Sequence, residues 1–80
     1  MLTIKLRQIS DIFYITECII PAATFPEVRY TTANIELING KWEVQIFGLM
    51  MFSELNLDKA IELTIKYSLY KESQNVDQTE

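Results

Sequence analysis

Two glutamates are the residues whose types and spacing come nearest to catalytic chemistry in this chain. Glu36 and Glu43 lie three residues before and three residues after the Asn-Gly dipeptide at 39–40. If that dipeptide closes a β-hairpin, the two carboxylates stand directly opposite each other. They could then share a proton and act as acid and base, or bind a hard cation together with Asn34 and Gln45. We favour the simpler interpretation, a solvated sheet face, because paired carboxylates are often structural.

The other residues with chemical potential are a single cysteine, a single tryptophan and a pair of methionines. Cys18 lies inside an apolar run without a nearby base, so we interpret it as a small hydrophobe and not as a nucleophile. Trp42 could stack against a base or a sugar, but its predicted position opposite Leu37 favours the core. Met50 and Met51 could form an adaptable binding surface or fill the core, and both interpretations stay open.

The composition narrows the possible functions by the residues that it lacks. The chain has no histidine and one cysteine, which removes histidine-activated nucleophiles, histidine-containing metal sites and structural zinc sites. Neither of the glycine-rich phosphate loops, GxGxxG and GxxxxGK[ST], occurs. A net charge of −4 with seven scattered basic residues disfavours nucleic-acid binding. We therefore expect no enzyme activity, no cofactor and no metal.

The length and the cysteine count predict a small folded domain in a reducing compartment. Eighty residues, 49% of them hydrophobic, with two glycines and two prolines, are typical of one globular domain. One cysteine permits no intrachain disulfide. The N-terminus lacks the apolar core of a signal peptide, and no apolar run reaches the roughly 18 residues that span a bilayer. We predict a cytoplasmic protein without membrane association.

A hairpin over residues 33–48 is the element that would position the two glutamates. The Asn-Gly dipeptide at 39–40 favours a two-residue type I′ turn, because both residues tolerate positive φ. Such a turn fixes the pairing, and one face of the hairpin is then apolar, with Ile35 and Leu37 on its first strand and Trp42 and Val44 on its second. The opposite face carries Ile38 and Phe47 beside the glutamates.

Two further strands are predicted before the hairpin. Alternation indicates a half-buried strand over 2–9, and residues 12–20 form a run with apolar side chains on both faces, as in a central strand. The segment PAATFP at 21–26 would interrupt the sheet as a connection. The apolar phase changes near 31–32, which predicts a β-bulge. Without a bulge, Tyr30 would emerge on the outer face.

A C-terminal helix is predicted after the hairpin. Asn56 is the expected N-cap, with Ser53 as a competitor, and the helix is predicted to run from Leu57 to Glu72. Its apolar stripe comprises Leu57, Ala60, Ile61, Leu63, Thr64, Tyr67 and Ser68. The sequence therefore predicts an α+β fold, an antiparallel sheet of about four strands with one C-terminal helix on one face. Residues 1–72 would form a single domain, and the polar segment 73–80 a disordered tail.

The stretch SELNLDKAIELTIKY at 53–67, following a hairpin, resembles the sheet-to-helix junction of small HicB-type antitoxin domains. The resemblance is limited to the hairpin and this stretch. The glycine-rich turn and the Glu-Glu-Ala helix start typical of that family are missing. The sequence therefore does not assign the chain to the family.

These observations favour a non-catalytic protein-binding module, such as an inhibitor, an adaptor or a regulatory subunit. The expected partner-binding residues are apolar side chains on the outer sheet face and at the helix end, namely Tyr30, Ile38, Phe47, Leu69 and Tyr70. The partner is another protein, and we expect a homodimer because a second copy could cover the sheet face. The alternative is a small-ligand-binding or enzymatic domain with a site on the open sheet face at Tyr14, Glu36 and Glu43.

Overall fold

The computed structural model describes residues 2–21 and 27–78, with side chains described as far as Gln74. The described elements are β1 (Thr3–Ser10), β2 (Phe13–Ile20), β3 (Val28–Ile38), β4 (Lys41–Ile46), β5 (Met50–Glu54) and α1 (Leu57–Gln78). The strands form one antiparallel sheet in the order β1-β2-β3-β4-β5. The α+β class is confirmed. Most of the predicted connection at 21–26 lies outside the described residues.

The central hairpin has the predicted turn and the predicted pairing. Asn39 has φ 52° and Gly40 has φ 80°, as a type I′ turn requires. The pairs Ile35↔Val44, Leu37↔Trp42 and Glu36↔Glu43 form as expected, which confirms the register predicted from the turn. Trp42 packs against the core, which confirms its structural interpretation, and its ring makes an edge contact with Tyr14 at a centroid distance of 5.9 Å.

A β-bulge in β3 explains the change of phase seen in the sequence. Thr16 pairs with Ala33 and Glu17 pairs with Thr31, so Thr32 is the extra residue. Its hydroxyl lies 2.9 Å from the Thr16 hydroxyl, and both threonines are buried. Because of the bulge, the Tyr30 side chain lies on the face of the sheet that the helix covers.

The sheet has a fifth strand where about four were expected. After a turn in which Gly48 has φ 75°, β5 pairs with β4 through Val44↔Phe52 and Ile46↔Met50. Met50 packs against the core, as the core-filling interpretation predicted. Met51 is 75% exposed and is therefore a surface residue. The apolar run of β5 does not alternate with polar residues, so its sequence alone did not predict a strand. Its pairing with β4 shows that it is one.

The helix lies on the predicted apolar face and closes the core. Ala33, Ile35, Val44 and Ile46 of the sheet meet Ala60 of α1 in a buried cluster. Leu57, Ile61 and Tyr67 pack around that cluster from the same helix. The sheet-facing stripe consists of small or polar residues, and it runs through Ala60, Thr64, Ser68 and Glu72. Small side chains let the helix approach the sheet closely.

The helix begins where the sequence predicted and ends later than predicted. The Asn56 side-chain oxygen accepts the Lys59 backbone N–H at 3.0 Å, which confirms Asn56 as the N-cap. The helix was predicted to end at Glu72, but it continues to Gln78. Glu72 is buried and accepts a hydrogen bond from Tyr30 of the sheet. This contact holds the helix against the sheet beyond the end of its predicted apolar stripe. Of the expected disordered tail, Thr79 and Glu80 lie outside the described residues.

Candidate functional site

The face of the sheet opposite α1 is the largest candidate surface, and we call it the open face. Side chains alternate along each strand, so the pairing assigns the members of this face. They are Thr3, Lys5, Arg7, Phe13, Ile15, Glu17, Ile19, Arg29, Thr31, Asn34, Glu36, Ile38, Lys41, Glu43, Gln45, Met51 and Ser53. Among the elements that the structure describes, none covers this face, because the single described helix lies on the other side.

The open face mixes exposed apolar side chains with half-buried ones. Ile38 is 43% exposed and Met51 is 75% exposed, whereas Phe13 and Ile15 are half-buried. Phe47 is also half-buried, and it lies in the turn that follows β4, outside the paired strand. Of the two outer-face partner residues predicted from the sequence, Ile38 and Phe47, the strand pairing therefore places Ile38 on the open face.

Three exposed aliphatic side chains near the hairpin turn were not predicted from the sequence as site residues. Ile9 and Ile12 flank the β1–β2 turn, and Leu55 connects β5 to the helix. All three lie at the end of the sheet where β3 turns into β4. Their signal was an apolar residue beside a turn or a helix cap, where polar residues are usual.

The β3–β4 part of the open face is acidic. Glu36 and Glu43 stand opposite each other, and the Ser53 hydroxyl donates a hydrogen bond to Glu43. That donor offsets part of the repulsion between the carboxylates. A shallow hollow of about 220 Å³ lies here, lined by Asn34, Glu36, Ile38, Glu43, Val44, Gln45 and Met51.

The β1–β2 part of the open face, with the start of β3, is basic around one buried carboxylate. Glu17 is only 7% exposed, and its carboxylate oxygens lie 3.9 Å from an Arg7 nitrogen and 4.0 Å from an Arg29 nitrogen. Arg29 also binds Glu27 at 2.7 Å, and that hydrogen bond and charge raise the pKa of the Arg29 guanidinium. A hollow of about 340 Å³ is lined by Lys5, Leu6, Arg7, Glu17 and Arg29.

The two tyrosines expected on the open face lie on the helix side of the sheet instead. Tyr14 pairs with Ile35 and packs against the core, and Tyr30 is turned to the helix side by the bulge. The tyrosines are therefore separated by the sheet from Glu36 and Glu43. Of the residues predicted for a ligand site, the structure brings together only the two glutamates.

A second group of predicted partner residues lies near the end of the helix. The Tyr30 hydroxyl donates a hydrogen bond to the buried Glu72 carboxylate, whose other oxygen lies 3.5 Å from the Lys71 ammonium. Partial burial and then this hydrogen bond raise the pKa of the Tyr30 hydroxyl. Leu69 and Tyr70 are 43% and 57% exposed on the same helix. The predicted partner-binding residues thus fall on two separate surfaces.

The described residues contain no metal-binding cluster and no membrane-spanning helix, and the chain matches no known protein family. Within residues 2–21 and 27–78, no group of three or more acidic, cysteine or histidine residues could hold a metal ion. The described helix is not long and apolar enough to cross a bilayer. Cys18 is buried as a free thiol in β2. No protein-family model, no curated protein and no solved structure matches the chain.

Proposed function

We propose that this chain is a small non-catalytic protein-binding module, acting as an inhibitor, an adaptor or a regulatory subunit. The observation that carries the proposal is the open face, where Ile38 and Met51 are exposed beside Phe13 and Ile15. Large apolar patches on soluble domains usually mark interaction sites. A half-covered sheet of this kind presents apolar area that a bound protein would remove from water.

The distribution of charge on the open face supports a protein partner over a lipid or a nucleic acid. Charged residues of both signs surround the apolar centre, with Lys5 and Arg7 on one side and Glu36 and Glu43 on the other. Protein interfaces commonly have an apolar core with a polar rim, and complementary charges determine specificity. A nucleic-acid partner would instead require a surface of one positive sign.

The end of the helix supplies a second contact surface for the proposed module. Leu69 and Tyr70 are exposed next to each other, and neither lies on the stripe that packs against the sheet. An aromatic side chain with a polar tip is a frequent anchor in protein interfaces. A cytoplasmic place of action is part of the proposal and is supported by the free thiol of Cys18.

Affinity capture with matched variants tests the proposed function. Tagged wild-type protein is incubated with extract of its native cells beside an Ile38→Glu, Met51→Glu variant and a Leu69→Ser, Tyr70→Ser variant. Glu62→Gln serves as the control, because Glu62 is exposed on the helix, off the open face and roughly 10 Å along the helix axis from Leu69. We expect at least one protein to bind stoichiometrically to wild type and control and to be lost from one surface variant. Capture that is unchanged in both surface variants would refute the proposal.

A small-ligand site is the second candidate, and the hollow beside Glu36 and Glu43 favours it. Two carboxylates and the amides of Asn34 and Gln45 are the oxygen ligands that a hard cation prefers. The volume of about 220 Å³ is below the range of roughly 300–1,000 Å³ that is usual for small-molecule sites. Calcium or magnesium titration followed by NMR separates the candidates, since this site predicts saturable shifts that Glu43→Gln abolishes.

A further inference from the structure

We infer that β1 is a docking edge, where an extended segment of a partner protein with alternating acidic and apolar residues adds a strand to the sheet. The inference rests on the proposed function, because it specifies how a protein partner is held. Strand addition is a recurring mode of peptide recognition, in which backbone hydrogen bonds supply affinity and alternate side chains supply specificity. β1 ends the strand order, and among the described residues no strand pairs with its outer side.

The backbone of β1 presents hydrogen-bonding groups at this edge. Along an antiparallel strand, alternate residues bond to the neighbour on one side and to the neighbour on the other. The Leu37 N–H donates to the Ile12 carbonyl oxygen at 2.9 Å, so even-numbered residues of β2 bond to β3 and odd-numbered ones to β1. The odd-numbered residues of β1 pair with those of β2. The even-numbered residues of β1 therefore direct their N–H and C=O groups outward, and they are Ile4, Leu6 and Gln8.

The side chains of β1 on the open face favour an acidic partner strand. Lys5 and Arg7 are both exposed there, and β1 contains no acidic residue. The nearby Glu17 carboxylate already has Arg7 and Arg29 at 3.9 and 4.0 Å, and Lys5 forms no ion pair with any described residue. Residues of an added strand opposite Lys5 and Arg7 would form non-hydrogen-bonded pairs, in which side chains are closest. Carboxylates at those positions would therefore pair with the two cations.

The same two cations oppose the pairing of β1 with a second copy of this chain. An antiparallel pair of β1 strands centred on Leu6 places Lys5 of each copy opposite Arg7 of the other. A pair centred on Lys5 or on Arg7 places that residue opposite itself. Like charges directly opposite each other are destabilising in a sheet. The edge is therefore complementary to a different, acidic strand and not to itself.

The other edge strand, β5, offers less to a partner strand. It has five residues, whereas β1 has eight. The Phe47 N–H donates to the Thr32 carbonyl oxygen at 3.0 Å, so the same alternation leaves only Met51 and Ser53 of β5 with outward backbone groups. Neither residue carries a charge that would specify a partner.

On the helix side of β1, apolar side chains specify the other half of the pattern. Ile4 and Leu6 are half-buried there, and Leu6 packs against the core. Leu69 is 43% exposed and lies about 200° around the helix from Lys71, whose side chain lies beside Gly48 next to β5. Leu69 is therefore on the side of the helix toward β1, where apolar residues of an added strand would contact it.

Nuclear magnetic resonance titration with defined peptides tests the docking edge. The probe is a peptide of alternating glutamate and valine with eight residues, the length of β1. The controls are an alternating lysine–valine peptide, which reverses the charge, and an alternating glutamate–proline peptide, which lacks half of the N–H donors. We expect saturable shifts of the Thr3–Ser10 amide resonances with the glutamate–valine peptide alone. Hydrogen exchange of the Ile4, Leu6 and Gln8 amides should slow in the complex.

Two sets of variants separate the side-chain and backbone parts of the contact. Lys5→Glu with Arg7→Glu should raise the dissociation constant for the glutamate–valine peptide at least about tenfold and should create binding of the lysine–valine peptide. Gln8→Pro removes one outward N–H and leaves the bonds to β2 intact, and Gln8→Ala is its matched control. The proline variant should bind several-fold more weakly than the alanine variant. Circular dichroism establishes that each variant is folded.

The outcomes separate this inference from the proposed function. Absence of saturable binding at millimolar peptide, equal binding of the two charged peptides, or shifts confined to β3 and β4 overturns the docking edge. Equal affinities of Gln8→Pro and Gln8→Ala also overturn it, because no backbone pairing would then occur at that position. Shifts of the β1 amides with protein concentration alone would identify a second copy as the occupant and overturn the acidic partner. Each of these results leaves the capture experiment, and with it the proposed function, unaffected.

Discussion

At the scale of single residues, the buried stripe of the helix contains one unusual hydroxyl. Ser68 is fully buried, and among the described residues its hydroxyl has no hydrogen-bond partner. One turn earlier, the Thr64 hydroxyl donates to the Ala60 carbonyl oxygen at 2.6 Å. Two hydroxyls on one stripe therefore have opposite energetic roles, because an unsatisfied buried hydroxyl costs free energy that a satisfied one does not.

Replacing each hydroxyl residue by alanine should give stability changes of opposite sign. Ser68→Ala should raise the free energy of unfolding by about 1 kcal/mol, since it removes an unsatisfied polar group and adds a better helix former. Thr64→Ala should lower it by about 1–2 kcal/mol through the lost hydrogen bond and the small cavity. Urea denaturation followed by circular dichroism measures both values. A loss of stability in Ser68→Ala would show that the Ser68 hydroxyl is bonded.

Burial of the Tyr30 hydroxyl and its hydrogen bond to Glu72 give the protein a specific response to alkaline pH. Because the pKa of Tyr30 is raised on folding, the unfolded phenol ionises first, above its ordinary value of about 10. The stabilising contribution is complete below that pH and is lost as the pH rises above it. Tyr30→Phe should cost about 1 kcal/mol at neutral pH and should flatten the decline in stability above pH of about 10.

The measurement for Tyr30 is the free energy of unfolding as a function of pH. Tyr70→Phe is the matched control, because Tyr70 lies exposed on the helix. If Tyr30→Phe and wild type lose stability in parallel between neutral and strongly alkaline pH, the hydrogen bond to Glu72 makes no contribution to folding.

At the scale of elements, the Asn39-Gly40 turn favours the observed register of the β3–β4 hairpin. Gly40 has φ 80°, and among the described residues no atom lies within 4 Å of the position that a Cβ would occupy. A substitution there is therefore limited by backbone strain alone. Gly40→Val should lower the free energy of unfolding by about 1–3 kcal/mol, because a β-branched residue is strained at positive φ.

Thermal denaturation of three proteins checks the hairpin prediction. Gly40→Val should melt well below wild type, and Gly40→Asn should stay close to it, since asparagine tolerates positive φ. Equal melting temperatures for valine and asparagine would contradict the assignment of a type I′ turn.

At the scale of the whole molecule, the chain is small, and the elements that the structure describes cover one face of the sheet. Among the described residues, five form the fully buried apolar cluster, and a domain of this length buries only about 60–65% of its unfolded surface. The core therefore leaves little reserve of stability, and covering the open face would add apolar burial that one copy cannot provide. Assembly and folding stability are expected to be linked for this reason.

Sequence alone determined the features that depend on neighbouring residues. The turn at 39–40, the pairing of Glu36 with Glu43, the bulge at Thr32 and the cap at Asn56 were all predicted and are all present. Each follows from a local rule, such as the φ that Asn and Gly tolerate, the alternation of side chains in a strand, or a side-chain oxygen near a helix start. The α+β class could also be predicted, because the strands follow one another in the sequence and the helix comes after them.

Only the tertiary structure decided the features that depend on distant residues. β5 is a strand because it pairs with the edge of β4. The helix α1 continues to Gln78, beyond Glu72, whose carboxylate is hydrogen-bonded to Tyr30 of the sheet. Tyr14 and Tyr30 lie on the helix side of the sheet because the pairing of β2 with β3, including the bulge, determines which face each side chain is on. The contacts of Glu17 with Arg7 of β1 and with Arg29 of β3 likewise follow from strand order, which brings together charges that are far apart in the chain.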